Sequence, residues 1–414
     1  MTKRPDYLHF DPATRHVRLD PHEPEFYLNP YPAYAWLHEN CPVFYWEEFG
    51  YWSFAGYEDV NRLLRDRTFG RENPDGPPAP QSSGPRAHVA DFDAVEAHSI
   101  LEREPPVHTR LRTLVNRAFV SRQVERLRPR IEQLSHQLID GFENQKQIDL
   151  LPAFATPIPL MIIADMLGID HAMGAQLVSW SHDMVAMYMH GRTRGHELQA
   201  AKSAREFSDF IRAESRSRIG TDKDDLLTML AQAGANGEKL TEDELVSTAI
   251  LLLNAGHEAT VHQTGNAVKT ILQSGQDIRT LFADEKAAEN TVEETLRFDA
   301  PLHMFTRYVY RPAEIADGVT VKPGDQVALL LGAANRDPAA YANAADFLPG
   351  RADQKNVTFG AGIHFCIGAP LARLEMQVSL KVLFDRLPNI RLAEPPRYRD
   401  SYHFHGLETL NVAW

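Results

Sequence analysis

The sequence predicts a mainly α fold with a smaller β region, and three observations carry that prediction. Between about residues 108 and 300, apolar residues recur at helical spacing. Thr241 to Glu244 has the Thr-x-x-Glu form of a capping box and opens a long apolar helix running to roughly Thr270. After Pro301 the pattern changes to short alternating strands, among them Gly318-Val-Thr-Val-Lys-Pro-Gly-Asp-Gln-Val.

Taken in chain order, residues 1–30 are polar and proline-rich and read as an N-terminal extension. A helical pattern begins at Tyr34 to Leu37. Val43 to Phe54 is aromatic and β-branched around a glycine, the composition of a hairpin. Asn73 to Arg86 carries Pro74, Pro77, Pro78, Pro80 and Pro85 among glycines and serines, which predicts a loop. The helix after Pro106 has Leu111, Leu114, Val115 and Ala118 as its apolar stripe, with His108 and Arg112 four apart. Met184 to Met189 reads as a helix end before Gly191, its methionines suited to core packing or to an adaptable lid. Glu294 and Arg297 put opposite charges on one helical face.

Composition narrows the function classes. The 414 residues are 43% hydrophobic and 24% charged, ordinary for a globular protein. A net charge of −13 argues against nucleic acid and against general attraction to anionic membranes. The opening residues offer no apolar stretch for a signal peptide or membrane anchor. With Cys41 and Cys366 as the two cysteines, a disulfide framework is not expected and the cytoplasm is the expected compartment.

The run Phe359-Gly360-Ala361-Gly362-Ile363-His364-Phe365-Cys366-Ile367-Gly368 sets one cysteine in a glycine-rich loop that opens into a helix-forming segment, Ala369 to Leu380. A thiolate there gains from the amide groups and positive dipole end of a helix N-terminus. Gly360, Gly362 and Gly368 would let the backbone approach a flat cofactor and take conformations barred to other residues. No Cys-x-x-Cys-His occurs, so covalent c-type haem is excluded. The loop resembles the haem-binding loop of the cytochrome P-450 superfamily at every position of its Phe-Gly-x-Gly-x-His/Arg-x-Cys-x-Gly pattern.

The resemblance runs from about residue 25 to the end. It implies a single domain over 1–414, with 71–105 as a flexible substrate-access loop and 355–368 as the haem-thiolate loop. It also implies b-type haem between the long central helix and the cysteine-loop helix, with the iron ligated by Cys366. His108, Arg112, Arg307 and His364 are the expected propionate partners, and Phe359, Gly360, Gly368 and Ala255 the further cofactor residues. Glu104 stands where the family has aspartate. Glu294, Arg297 and Arg351 match a buried structural ion-pair group, with Arg336 as the alternative third member.

Ala255-Gly256-His257-Glu258-Ala259-Thr260 resembles the family's oxygen-handling segment, whose small residues make room for O2 beside an acid and a hydroxyl. Glu258 is the acid. Ala259 occupies the usual threonine position, and Thr260 follows one residue later, about 100° around the helix. Thr260 therefore does not simply replace the missing hydroxyl, and proton delivery is expected through Glu258 with ordered water or a substrate hydroxyl. Carried over from the family, Leu251, Asn254, His303, Phe305, His403 and Phe404 are the expected substrate contacts, with His303 and Phe305 on one strand face. Asn254, His303 and His403 suggest a medium-sized, largely apolar substrate bearing a hydroxyl, carbonyl or carboxylate.

The implied function is a haem-thiolate monooxygenase fed by a ferredoxin or flavodoxin with its reductase, acting as a monomer. Arg110, Arg117, Arg122, Lys355 and Arg373 are the expected docking patch for that donor. A peroxide-driven or other haem-thiolate oxidation is the alternative reading, kept open by the missing threonine, whereas Glu258 favours O2 activation. A non-enzymatic haem gas sensor is a third.

Overall fold

The computed structural model describes residues 2–76, 84–235 and 240–414. They fall into two compact units. One comprises the chain up to Gly70, Ile131–Ala155 and Ala259–Trp414; the other comprises Arg71–Arg130 and Thr156–Glu258.

The first unit holds the sheets. Strands β1 (His9–Asp11), β2 (His16–Arg18), β3 (Val43–Trp46), β4 (Tyr51–Phe54) and β5 (Phe69–Gly70) precede β6 (Gln147–Asp149). Then come β7 (Phe305–Val309), β8 (Ala313–Ala316), β9 (Val319–Val321) and β10 (Gln326–Leu329). Seven strands form one sheet in the order β1-β2-β3-β4-β10-β7-β5. β3 and β4 are the expected hairpin, pairing Val43 with Phe54 and Trp46 with Tyr51. Gly50 closes its turn at φ +76°, a left-handed conformation that costs glycine little, and donates its N–H to the Trp46 carbonyl at 2.8 Å.

The first 30 residues are not an appendage. Leu8, Val17, Leu19 and Phe26 are buried in the same apolar cluster as Tyr34, Phe44 and Trp46. Each buried side chain of this size contributes about 1.5–3 kcal/mol relative to exposure, enough to fix a short, polar-flanked segment. Isolated apolar residues among prolines carry too little periodicity for that anchoring to be read from sequence.

The second unit is helical. Val107–Phe119 buries His108, Leu111, Val115 and Phe119, while Leu114 and Ala118 of the expected stripe are half-buried. Pro157–Leu167 is apolar nearly all round and ends at Gly168, left-handed at φ +69°. Gly174–Val185 and Arg194–Arg218 follow, and Met184 and Met187 are buried, so packing is their role. The stretch 71–105, expected as one loop, contains the helix Ala90–Glu96 and short 3-10 turns at Ala87–Val89 and Ile100–Glu102. Phe92 and Val95 supply the buried face that makes the helix worth forming. Within the proline-rich run, Pro77, Pro78 and Pro80 lie outside the described residues.

The central helix runs Glu242–Gln273. Its capping box is reciprocal: the Thr241 hydroxyl accepts from the Glu244 N–H at 3.2 Å, and the Glu244 carboxylate accepts from the Thr241 N–H at 2.9 Å. Glu244 also receives two hydrogen bonds from Arg110, at 3.0 and 2.5 Å. Among the described residues no helix is long and apolar enough to cross a membrane.

Candidate active site

Cys366 lies at the end of a chain reversal made by its own backbone. Its N–H donates to the Phe359 carbonyl at 2.9 Å, and the Gly360 N–H donates to the Val357 carbonyl at 2.8 Å. A 3-10 turn over Gly362–His364 follows, then the helix Ala369–Arg386. Gly360 and Gly362 sit at φ +67° and +71°. A Cβ on Gly362 would stand 2.6 Å from the Leu64 carbonyl oxygen, so no other residue fits there without moving backbone. Gly368 differs from the expectation. It has an ordinary φ of −82°, and a Cβ would meet the Cys366 Sγ at 3.9 Å, plain van der Waals contact.

The turn leaves Cys366 and Phe365 exposed. Phe359 and Phe365 lie 6.3 Å apart, centroid to centroid, and the Arg373 guanidinium sits 4.6 Å above the Phe359 ring. Cys41 is the opposite kind of cysteine. It is buried, its thiol donates to the Val43 carbonyl at 3.2 Å, and burial pushes its pKa up.

β7 is the loop's neighbour. A Cβ on Gly360 would lie 3.8 Å from the Phe305 ring, which puts Phe305 beside the cysteine loop. Two residues along, Arg307 is buried, and its Nη1 donates to the Thr306 carbonyl at 2.9 Å. His303 does not share a face with Phe305. It precedes β7, so strand alternation does not reach it. It is enclosed by Tyr31, Tyr34, Tyr402 and His405, with its ring 2.7 Å from the Tyr34 hydroxyl. Burial lowers its pKa to about 4. His403 and Phe404 meet edge to face, their ring centroids 4.8 Å apart, and Phe404 bridges to Leu302.

Glu294, Arg297 and Arg351 come together. Arg297 donates to Glu294 at 2.8 and 2.7 Å, and Arg351 donates to the same carboxylate at 3.2 and 3.4 Å. Arg297 also donates to the carbonyls of Asn335, Ala344 and Asp346, each at 2.9 Å, stitching the segment ahead of the cysteine loop. Arg336 is used elsewhere. Its Nε donates to the Phe298 carbonyl at 2.7 Å and its guanidinium lies over Tyr31.

In the second unit, His108 is buried and its N–H donates to the Glu104 carbonyl at 3.0 Å, while Arg112 is half-buried. The Glu104 side chain accepts from the Arg71 N–H at 2.8 Å, so the departure from aspartate still braces the preceding segment. On the central helix, Leu251, Asn254, Ala255 and Ala259 form an open stripe, Ala255 being exposed and the other three half-buried. Their neighbours Leu252, Leu253, His257, Glu258, Thr260 and Val261 are buried. At Gly256 a Cβ would press to 3.1 Å from Ile163, so packing against that side chain favours the smallest residue there. Asn254 donates to the Met184 sulfur at 3.8 Å. Sequence reasoning missed His182, whose Nε2 lies 2.9 Å from the Glu258 carboxylate. No spacing rule links residues 76 apart.

The expected electron-donor patch is largely neutralised. Arg110 is paired with Glu244, Arg373 with Glu293 and Lys355 with Asp353. Arg117 and Arg122 are exposed.

A family profile described as Cytochrome P450 matches residues 267–388. The polyketide biosynthesis cytochrome P450 PksS of Bacillus subtilis (strain 168) is 34% identical over 407 residues, covering 96% of this chain and 98% of that protein. This chain belongs to the cytochrome P450 family. The biotin biosynthesis cytochrome P450 of the same organism is also 34% identical, over 94% of this chain and 97% of its own length. Among solved structures, P450BioI in complex with a hexadec-9Z-enoic acid-ligated acyl carrier protein superposes with a TM-score of 0.87 at 33% identity. That match covers 94% of this chain and 99% of the other.

Cytochrome P450 enzymes bind haem b through a cysteine thiolate, and the exposed Cys366 on its glycine-braced turn fits that group. A thiolate ligand pushes electron density onto haem iron and favours O–O cleavage. This cytochrome P450 is a haem-thiolate monooxygenase, inserting one atom of O2 into an organic substrate.

Proposed function

We propose that Cys366 is the haem ligand, that His108, Arg112, Arg307 and His364 serve the propionates, and that Phe359, Gly360 and Gly368 shape the loop around the thiolate. The observation that carries this is the exposed Cys366 thiol on a turn braced by two left-handed glycines, whereas Cys41 is buried. The length match to whole P450 relatives supports reading 1–414 as one catalytic domain. The reduced, CO-bound spectrum tests the ligand: Cys366→His should abolish the thiolate band, and an unchanged band overturns the assignment.

Glu258 is the proton-delivery acid and Ala255 and Ala259 border the oxygen site, with Thr260 turned away. The substrate is medium-sized and largely apolar and carries a hydroxyl. Supporting this, the open stripe is apolar except for Asn254, whose buried Oδ1 has no hydrogen-bond partner among the described residues. Leu251, Phe305, His403 and Phe404 would supply the remaining wall. The relatives' names, polyketide biosynthesis in one and an acyl carrier protein complex in another, favour acyl or polyketide chains.

Spin-state titration of the ferric protein with free and carrier-tethered hydroxyacyl chains tests the substrate class. A shift from low to high spin with either form supports it; a shift confined to aromatic acids or terpenoids rejects it. The electron donor is an acidic ferredoxin or flavodoxin approaching Arg117 and Arg122. We read the enzyme as a cytoplasmic monomer.

A further inference from the structure

His182, His257 and Glu258 offer three ligand atoms within 4.8 Å of one another. His182 Nε2 lies 2.9 Å, and His257 Nε2 3.7 Å, from the same Glu258 oxygen. Ligands at about 2.0–2.2 Å around a tetrahedral zinc ion stand roughly 3.4 Å apart, a spacing these two distances bracket. His257 is already oriented as a ligand. Its Nδ1 lies 2.8 Å from the Leu253 carbonyl, which only accepts, so Nδ1 carries the proton and Nε2 presents its lone pair. That Nε2 atom is buried and has no hydrogen-bond partner among the described residues.

Access comes from the third member. The His182 side chain is 52% exposed, so an ion can reach the group from solvent and keep a water as its fourth ligand. Two imidazoles and one carboxylate suit zinc and its neighbours in the transition series and disfavour magnesium or calcium, which take oxygen ligands.

We propose that His182, His257 and Glu258 form a binding site for a divalent transition-metal ion of the zinc class. Given the reading of Glu258 as the proton-delivery acid, an ion held there withdraws that carboxylate from proton transfer and makes zinc an inhibitor of turnover.

The test is equilibrium dialysis of the holoenzyme against Zn2+, with bound metal measured by atomic emission and the reduced CO spectrum confirming an intact fold in each variant. One zinc per haem is expected, with affinity at least about tenfold weaker in His182→Ala and in His257→Gln. No zinc retained by the wild type, or retention that both substitutions leave unchanged, overturns the site. Turnover assayed with and without zinc separates the two readings. If zinc binds and both substitutions weaken it, yet turnover is unaffected, the site stands and the role given to Glu258 falls.

Discussion

Glu294 and Arg297, three residues apart on the helix Glu285–Phe298, face each other across two hydrogen bonds with only 1% of either side chain exposed. Leaving one charge buried without the other is costly, on the order of 3–5 kcal/mol. Arg297→Ala should therefore lower stability by about that amount and reduce haem incorporation, because Arg297 also ties down the carbonyls of Asn335, Ala344 and Asp346. Urea unfolding of the variant checks the first effect, and haem content per protein the second.

The glycines of the cysteine turn should respond unequally. Gly362→Ala forces a Cβ against the Leu64 carbonyl at a left-handed φ and should cut haem content severalfold. Gly368→Ala, with an ordinary φ and only a van der Waals contact to the sulfur, should bind haem nearly as the wild type does. Equal haem loss in both would mean that the turn's backbone is not what holds the thiolate in place.

Glu258→Gln should lower turnover by about a hundredfold, within the range of general acid–base contributions, while leaving the substrate-induced spin shift unchanged. Ala259→Thr should leave turnover of the true substrate flat or lower. A large gain in coupling of electrons to product would show that the missing threonine is a defect and not an adaptation.

Stability should fall as pH drops from about 6.5 toward 4. His303 is buried and neutral, its folded pKa lowered to about 4, and burial also holds His405 well below its ordinary value. Between the unfolded and folded values the unfolded chain takes up protons that the native state refuses, so unfolding gains ground as acid is added. For His303 alone the loss between pH 7 and pH 5 is on the order of 2 kcal/mol. The urea midpoint measured across that range should fall, and His303→Gln should flatten the slope.

Charge reversal at Arg117 and Arg122 together should slow electron transfer from an acidic donor severalfold at low salt, with the difference shrinking as salt rises. Stopped-flow reduction at two ionic strengths measures it. The same reversal at Arg373 should act through stability, since that guanidinium is committed to Glu293.

Much of this was legible in the sequence because it rests on local signals. The Thr241–Glu244 box, the 43–54 hairpin and the cysteine loop each declare themselves within a dozen residues. Arg351 was recoverable as the partner of Glu294 only through family resemblance, since their 57-residue separation leaves no periodic trace. His303 was misread because alternation was extended past the strand's first residue, Phe305. Buried polar clusters stayed hidden for a related reason. Asp299 receives hydrogen bonds from Lys269 at 2.8 Å, Tyr31 at 2.6 Å and Tyr398 at 2.5 Å, three residues scattered through the chain.

The reciprocal cap at Thr241 works as the zero mark of a protractor. An α-helix turns about 100° and rises about 1.5 Å per residue, so fixing its first turn fixes the bearing of every later side chain. Ala255 lies fourteen positions on, nearly four whole turns and about 21 Å along the axis. The bearing of the open stripe is thus set far from the stripe itself, and by a carboxylate, Glu244, that Arg110 also grips. Drift in that distant anchor would re-aim the stripe without touching one of its residues, a route by which selectivity can change while the reactive surface keeps its composition.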